Sequence, residues 1–213
     1  TEAALSERDC AATMAFGMEA IAGGTDLLCI GEMGIGNTTV AAAINLALYG
    51  GEAEDWVGPG TGSHGELLER KIAVIKQAVE FHKDHLSDPL EVLRRLGGRE
   101  VAAIAGAILA ARVEKIPVLL DGYVVTAAAS ILKAANPAAL DHCLIGHVSG
   151  EPGHLRAIEK LGKTPLLALG MRLGEGTGAA LAAGIVKAAA ACHSGMATFE
   201  QAGVSNKSTG ESH

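Results

Sequence analysis

The stretch that decides the fold is residues 117–169, which read PVLLDGYVVTAAASILKAANPAALDHCLIGHVSGEPGHLRAIEKLGKTPLLAL. Three short apolar runs alternate there with two stretches of helical spacing. The apolar runs occupy 117–120, 144–148 and 165–169, and the helical stretches occupy 124–135 and 152–161. Apolar strands that alternate with helices are typical of a parallel sheet with helices on both faces. The stretch therefore predicts a Rossmann-like α/β fold.

Outside this stretch the sequence predicts one further strand and several helices. Residues 27–30 form a short apolar run, which predicts a buried strand. We expect this strand and the three later ones to be central, parallel strands of one sheet. The predicted helices occupy 6–21 with Ser6 as the N-cap, 37–49, 66–81, 89–96, 100–113 and 178–192. The glycine-rich residues 58–65 predict a loop.

The chain length of 213 residues fits one large domain, or a main domain with a small appendage. We expect an α/β core over residues 1–175, a C-terminal helical segment over 176–204 that contributes to a small helical domain, and a flexible tail over 205–213. Four strands are few for such a sheet, and the chain opens directly into a helix. We therefore expect an N-terminal part of the natural protein to be absent.

The composition excludes several classes of protein. The net charge of −7 argues against a large nucleic-acid footprint, which would need a clustered basic face. The uncharged apolar runs are too short to span a bilayer. The four cysteines include no CxxC pair, so they predict reduced, buried thiols in a cytoplasmic protein.

Acidic and polar side chains follow the predicted strands, where ligands bind in open parallel sheets. Glu32 follows the first strand, Asp121 the second, Ser149 and Glu151 the third, and Glu175 the fourth. Because the carboxyl ends of parallel strands meet at one edge of a sheet, we expect these side chains to converge there.

The loop after the first strand has the features of an anion site. Gly34 and Gly36 have no Cβ, so their backbone can approach a ligand closely. Asn37, Thr38 and Thr39 begin the next helix, where free N–H groups and the helix dipole favour a phosphate. The alternative is an ordinary tight turn between a strand and a helix, and this spacing alone does not separate the two.

Three further interpretations rest on single residues. Lys71 lies one turn into the helix after the glycine-rich loop, so it either reaches a phosphate or is a solvated surface lysine. Glu175 lies between two glycines, so it is either a general base of raised pKa in a confined site or a glutamate favoured by a helix N-terminus. His142, His147 and His154 show no metal-ligand spacing, so we expect no metal site.

Five segments taken together resemble one enzyme family. They read GEMGIGNTT at 31–39, VGPGTG at 57–62, LLDGYV at 119–124, SGEPGH at 149–154 and MRLGEGTGAALA at 171–182. In this order and at about this spacing they resemble the nicotinate-nucleotide:5,6-dimethylbenzimidazole phosphoribosyltransferase family of cobalamin biosynthesis. The resemblance covers nearly the whole chain.

The resemblance implies a role for each candidate residue. Glu175 is similar to the family's catalytic base, and Glu32 to a second active-site carboxylate. The resemblance assigns the phosphate of nicotinate mononucleotide to Gly34, Ile35, Gly36, Asn37 and Thr38, assisted by Lys71. It assigns the ribose and nicotinate side to Asp121, Gly122 and Ser149. It assigns the aromatic base to Met33 and Leu173.

The reaction implied by the resemblance moves ribose 5-phosphate from nicotinate mononucleotide to 5,6-dimethylbenzimidazole. It needs no cofactor and no metal, and the implied partners are the two substrates and a second copy in a homodimer. Family members carry an N-terminal segment that supplies much of the benzimidazole-binding site, and we expect this chain to lack it. Two alternatives stay open from the residues alone. One is another sugar-phosphate-binding transferase on the same fold, and the other is a non-catalytic nucleotide-binding relative.

Overall fold

The computed structural model describes residues 2–58 and 65–204. Most of the loop predicted at 58–65 and the whole of the tail predicted at 205–213 lie outside these residues. Within them the structure contains eight α-helices and four strands, with short 3₁₀ helices at Glu19–Ile21, Ala53–Asp55 and Lys83–His85.

The predicted elements are confirmed, with their ends shifted by no more than three residues. The helices are α1 (Glu7–Met18), α2 (Asn37–Tyr49), α3 (Glu66–His82), α4 (Pro89–Leu96), α5 (Arg99–Val113), α6 (Tyr123–Ala135), α7 (Pro152–Leu161) and α8 (Thr177–Gly195). The strands are β1 (Leu28–Ile30), β2 (Val118–Leu120), β3 (Cys143–His147) and β4 (Pro165–Leu167).

The four strands form one parallel sheet in the order β1-β2-β3-β4. Leu28 lies beside Val118, Val118 beside Cys143, and Ile145 beside Pro165. The predicted parallel α/β fold is thus confirmed. The expectation that all four strands are central is wrong for β1 and β4. A sheet whose strand order follows the chain places its first and last strands at the two edges, so β1 and β4 are the outer strands of this one.

The core lies between the sheet and the helices that flank it. Helix α6 is buried from Tyr123 to Leu132 and packs against α2, α4, α5 and α7. Its alanine-rich sequence lets neighbouring helices approach closely, and burial of this apolar surface is the main favourable contribution to folding. Helix α6 begins directly after β2 and so fixes the residues at the carboxyl end of that strand.

Local signals in the sequence set the helix ends. The Ser6 hydroxyl accepts a hydrogen bond from the Asp9 N–H group at 3.0 Å, as the predicted N-cap requires. The Asp88 carboxylate caps α4 by accepting from the Leu90 N–H group at 2.8 Å, with Pro89 as the first helical residue. No helix among residues 2–58 and 65–204 is both long enough and apolar enough to cross a membrane.

The chain divides into two compact units, one up to Ala183 and one from Gly184 onward. The first contains the sheet, α1 to α7 and the beginning of α8. The second, in its described part, contains the rest of α8 and a mostly exposed segment that ends at Val204. The domain boundary predicted after residue 175 stays a prediction.

Candidate active site

A cleft of about 540 Å³ lies at the carboxyl ends of the four strands, within the first unit. This volume is in the range of small-molecule sites, and the position is the one that open parallel sheets use for ligands. Ten of the predicted site residues line it, namely Glu32, Met33, Gly34, Ile35, Asn37, Thr38, Gly122, Ser149, Leu173 and Glu175. The loops after β1, β2, β3 and β4 therefore converge here as the sequence predicts.

A second cleft, of about 480 Å³, is lined largely by apolar side chains of α2 and α3, among them Val40 and Phe81. Of the predicted site residues in the described part of the chain, Thr39 alone lines it, whereas ten line the first cleft. The first cleft is therefore the candidate active site.

The glycine-rich loop after β1 forms one wall of the cleft. Gly36 is the N-cap of α2 with φ 81°, a left-handed conformation that glycine adopts without steric cost. It has no side chain to bond the first N–H groups of α2, so the start of this helix keeps the free donors and the dipole that favour an anion. Ile35 is fully exposed, which leaves the loop accessible to a ligand. That this loop binds a phosphate stays a prediction.

Lys71 is anchored beside this loop, although it does not itself line the cleft. Its Nζ donates to Thr38 Oγ1 at 2.9 Å and to the Gly58 carbonyl at 3.2 Å. Burial lowers the pKa of Lys71, and the nearby Glu151 carboxylate opposes this shift. The half-buried lysine is therefore held against the start of α2 and is not a freely solvated side chain.

Two glutamates stand next to each other at the cleft. The Glu175 N–H group donates to the Glu32 carbonyl at 3.2 Å, so the two loops are joined through their backbones. Burial raises the pKa of Glu32, Asn37 opposes the rise through a short hydrogen bond, and the neighbouring carboxylates of Asp121, Glu100 and Glu175 add to it. The Glu175 side chain is exposed, so the confined surroundings of the first of its two interpretations are absent in the described part of the chain. The half-buried carboxylate of raised pKa is Glu32.

Asp121 lies beneath the cleft and is completely buried. One carboxylate oxygen accepts from the Gly176 N–H group at 3.1 Å, and the other accepts from the Ala179 N–H group at 2.9 Å. Both oxygens of the side chain are thus bonded to the start of α8. A contact with the ribose would require the side chain to line the cleft, and it does not. That predicted contact stays untested.

Ser149 is held by a buried histidine. The Ser149 N–H group donates to His154 Nδ1 at 2.9 Å, so Nδ1 carries no proton and Nε2 donates to Thr126 Oγ1, also at 2.9 Å. The Ser149 hydroxyl lies 2.9 Å from the same Nδ1 atom. Burial lowers the pKa of His154 to about 3, so the ring stays neutral and keeps this arrangement.

The structure adds cleft residues that the sequence reasoning did not place among the site residues. They are Tyr123, Val124, His147, Glu151, Arg172 and Gly174. Tyr123 and Val124 follow Gly122 directly, and Glu151 already stood out at the end of β3. The involvement of His147 depends on its ring lying over Gly178 of α8, which no local pattern reveals. Across the described residues, no group of three or more potential metal ligands is assembled.

Comparison with known proteins agrees with this geometry. A family model described as "Phosphoribosyltransferase" matches residues 1–204. A nicotinate-nucleotide--dimethylbenzimidazole phosphoribosyltransferase of Allorhizobium ampelinum is 88% identical over 208 residues, covering 98% of this chain and 61% of that relative. The protein of the same name in Sinorhizobium medicae is 87% identical over 206 residues, with 97% and 61% covered.

Solved structures give the same result. The crystal structure of CobT from Thermus thermophilus superposes with a TM-score of 0.88 at 44% identity, covering 96% of this chain and 62% of that one. The chain therefore spans about 61% of the length of the relatives that it matches. Since the family model covers nearly the whole chain, the resemblance predicted from the five motifs is confirmed, and the chain belongs to this phosphoribosyltransferase family.

Proposed function

We propose that this chain carries the active site of a nicotinate-nucleotide:5,6-dimethylbenzimidazole phosphoribosyltransferase. The reaction transfers ribose 5-phosphate from nicotinate mononucleotide to 5,6-dimethylbenzimidazole, and it yields α-ribazole 5′-phosphate and nicotinate. The relatives at 88% and 87% identity carry this name, which supports the choice of substrates. The observation that carries the proposal is the pair Glu175 and Glu32, which lines the same cleft as the glycine-rich anion loop.

The proposed chemistry is one displacement at the anomeric carbon. A ring nitrogen of dimethylbenzimidazole forms a bond to C1′ while the bond from C1′ to the nicotinate nitrogen breaks, and the configuration inverts from β to α. The nicotinate ring already carries a positive charge in the nucleotide, so it leaves without an acid. The attacking base must lose its N–H proton, and a carboxylate at the cleft accepts it.

Each loop of the cleft has a part in this proposal. The loop from Gly34 to Thr38 binds the 5′-phosphate through the start of α2, with Lys71 as a nearby positive charge. Gly122 and the fixed Ser149 hydroxyl face the ribose. Met33 and Leu173 are large exposed apolar side chains at the cleft, suited to contact a flat aromatic base.

Glu175 is the proposed proton acceptor because its exposed carboxylate lines the cleft. Glu32 has a raised pKa, so it holds a proton to higher pH than an ordinary glutamate and is suited to hydrogen bonding within the site. Holding the two flat substrates in line provides much of the remaining rate enhancement.

The experiment that tests this proposal is incubation with both substrates, followed by mass analysis for α-ribazole phosphate. It should be run on this chain and on a chain of the relatives' length. Product in either sample supports the proposal. Binding of nicotinate mononucleotide without product in both would favour a non-catalytic nucleotide-binding relative.

We further propose that the protein acts as a homodimer in the cytoplasm. Phe16, Leu144 and Leu166 are exposed large apolar side chains of the first unit, and burying such side chains against a second copy would favour a dimer. Sedimentation of the protein at micromolar concentration would reveal a single monomeric species if the dimer proposal is wrong.

A further inference from the structure

The backbone around Glu175 is held in a conformation that a glutamate disfavours. Gly174, Glu175 and Gly176 have φ angles of 81°, 57° and 79°, so three consecutive residues are left-handed. For a residue with a Cβ this conformation costs roughly 1–2 kcal/mol. It persists only where the surrounding structure determines it strongly. Some contact must therefore hold this turn.

Asp121 supplies that contact from the end of β2. Its two carboxylate oxygens accept from the N–H groups of Gly176 and Ala179, at 3.1 and 2.9 Å, and so bracket the beginning of α8. Its own N–H group donates to the Ile30 carbonyl of β1 at 3.2 Å. The turn that carries Glu175 is thereby joined to two strands of the sheet.

The carboxylate of Asp121 is ionised in this position. Burial by itself raises the pKa of Asp121, but the His147 ring and the Ala179 and Gly176 N–H groups lower it further than burial raises it. A negative charge at the start of α8 is also favoured by the helix dipole. An ionised carboxylate accepts hydrogen bonds at both oxygens, which this arrangement requires.

Two observations separate this role from substrate binding. The Asp121 side chain is fully buried, and among the described residues it is absent from the cleft lining, whereas Glu175 is present in it. The other hydrogen bonds of the turn are a backbone bond from the Glu175 N–H group to the Glu32 carbonyl, at 3.2 Å, and short-range bonds such as Thr177 Oγ1 to the Gly174 carbonyl at 2.7 Å. Of the hydrogen bonds described here, the Asp121 pair is the side-chain link between the turn and the rigid sheet.

We infer that Asp121 is a positioning residue, whose carboxylate holds residues 174–176 in the left-handed turn that presents Glu175 to the cleft. This inference rests on the proposed function, in which Glu175 accepts the proton. It assigns Asp121 a role that acts through Glu175 and involves no contact with the ribose.

Substitution of Asp121 by asparagine tests the inference. The amide keeps one acceptor oxygen, but its NH₂ group cannot accept from the second N–H group. We expect kcat to fall by about 10–100-fold, the worth of one hydrogen bond to a charged group. The KM for nicotinate mononucleotide should stay nearly unchanged, because the anion loop is untouched. Asp141→Asn, at an exposed aspartate that pairs with Arg112, is the matched control and should leave kcat unchanged.

A double-mutant cycle distinguishes positioning from a general loss of structure. If Asp121 acts through Glu175, then Asp121→Asn should slow the Glu175→Gln enzyme little or not at all. Losses that multiply in the double variant would overturn the inference. A rise in KM for nicotinate mononucleotide without a fall in kcat would also overturn it, since that result indicates direct contact with the nucleotide.

Hydrogen exchange provides an independent test, which depends neither on enzyme activity nor on the folding of a variant. In the wild-type protein the amide protons of Gly176 and Ala179 should be protected, because the Asp121 carboxylate accepts both. Rapid exchange at both amides would contradict the inference even if the enzyme is active. Absence of product with the wild-type protein would contradict the proposed function and leave this measurement valid.

Discussion

At the scale of single residues, Glu175 is the side chain on which the proposed chemistry depends. Replacing it by glutamine keeps its size and backbone conformation but removes the ability to take a proton. General-base catalysis typically contributes about 10²–10⁴ in rate, so kcat should fall by that factor while binding of nicotinate mononucleotide changes little. Steady-state kinetics and calorimetry would measure the two effects.

We expect Glu32 to replace Glu175 in part, because both residues line the cleft on neighbouring loops. The fall in kcat for Glu175→Gln is then expected near the low end of the range, and a Glu32→Gln, Glu175→Gln double variant should be distinctly slower than either single one. Normal kcat in both the single and the double variant would show that neither carboxylate accepts the proton.

Lys71 gives a second prediction at this scale. Lys71→Ala should weaken the binding of nicotinate mononucleotide by roughly 1.5–3 kcal/mol, the range for a hydrogen bond to a charged group. Isothermal titration calorimetry would measure it. Lys76→Ala is the control, because Lys76 lies on the same helix but forms an exposed ion pair with Glu54. If the wild type and both variants bind nicotinate mononucleotide with equal affinity, Lys71 does not contact the phosphate.

At the scale of elements, the loop after β1 packs closely against the start of α8. Gly31 packs so closely on Gly176 that an added Cβ would overlap its backbone. Gly31→Ala should therefore reduce the free energy of unfolding by about 1–3 kcal/mol, as other overpacked sites do, and should lower kcat by displacing the Glu175 turn. Urea unfolding and kinetics would test both effects.

Gly184→Ala is the matched control for this prediction. An added Cβ at Gly184 meets no atom within 4 Å, and the residue lies inside α8. Alanine should there raise the free energy of unfolding by about 0.5–1 kcal/mol, because glycine is unfavourable in a helix. Effects of the same sign at both glycines would show that the close packing at Gly31 has no energetic consequence.

The elements themselves were predictable because their signals are local. The sequence predicts α7 from 152 to 161 and α2 from near 37 to about 49, in agreement with the structure, and Ser6 and Asp88 mark helix starts through bonds to their own neighbours. That the loops of the cleft lie together was predictable, because strands that alternate with helices run parallel and so end at the same edge of the sheet. The uses of Asp121 and His154 were not predictable, since they depend on contacts with N–H or hydroxyl groups of other elements.

At the scale of the whole molecule, buried His154 makes stability depend on pH. Its pKa is about 3 in the folded protein, against 6.5 as the ordinary value. Between these values the unfolded chain binds a proton that the folded chain does not. The contribution of neutral His154 to the free energy of unfolding is therefore complete above pH 6.5, and it is lost progressively as the pH falls towards 3. At pH 5 the loss from this residue should be about 2 kcal/mol, at about 1.36 kcal/mol for each pH unit below 6.5.

The measurement is urea unfolding of the wild type and of His154→Gln at pH 7 and pH 5. The glutamine does not titrate, so the wild type should lose about 2 kcal/mol more than the variant over this interval. Equal losses in the two proteins would mean that His154 is protonated in the folded state. The comparison between the two proteins removes the contributions of all other titrating groups that they share.

The left-handed turn at residues 174–176 sets the proposed catalytic role of Glu175 against the free energy of unfolding. Glu175→Gly removes the Cβ that makes the conformation unfavourable, which relieves roughly 1–2 kcal/mol. The extra freedom of glycine in the unfolded chain opposes this by roughly 0.5–1 kcal/mol. The Glu175→Gly variant should therefore be more stable than the wild type by about 0.5–1 kcal/mol in urea unfolding, and a less stable variant would contradict this. Stability alone would favour glycine at position 175, and the proposed function gives the glutamate a role in turnover that offsets this cost.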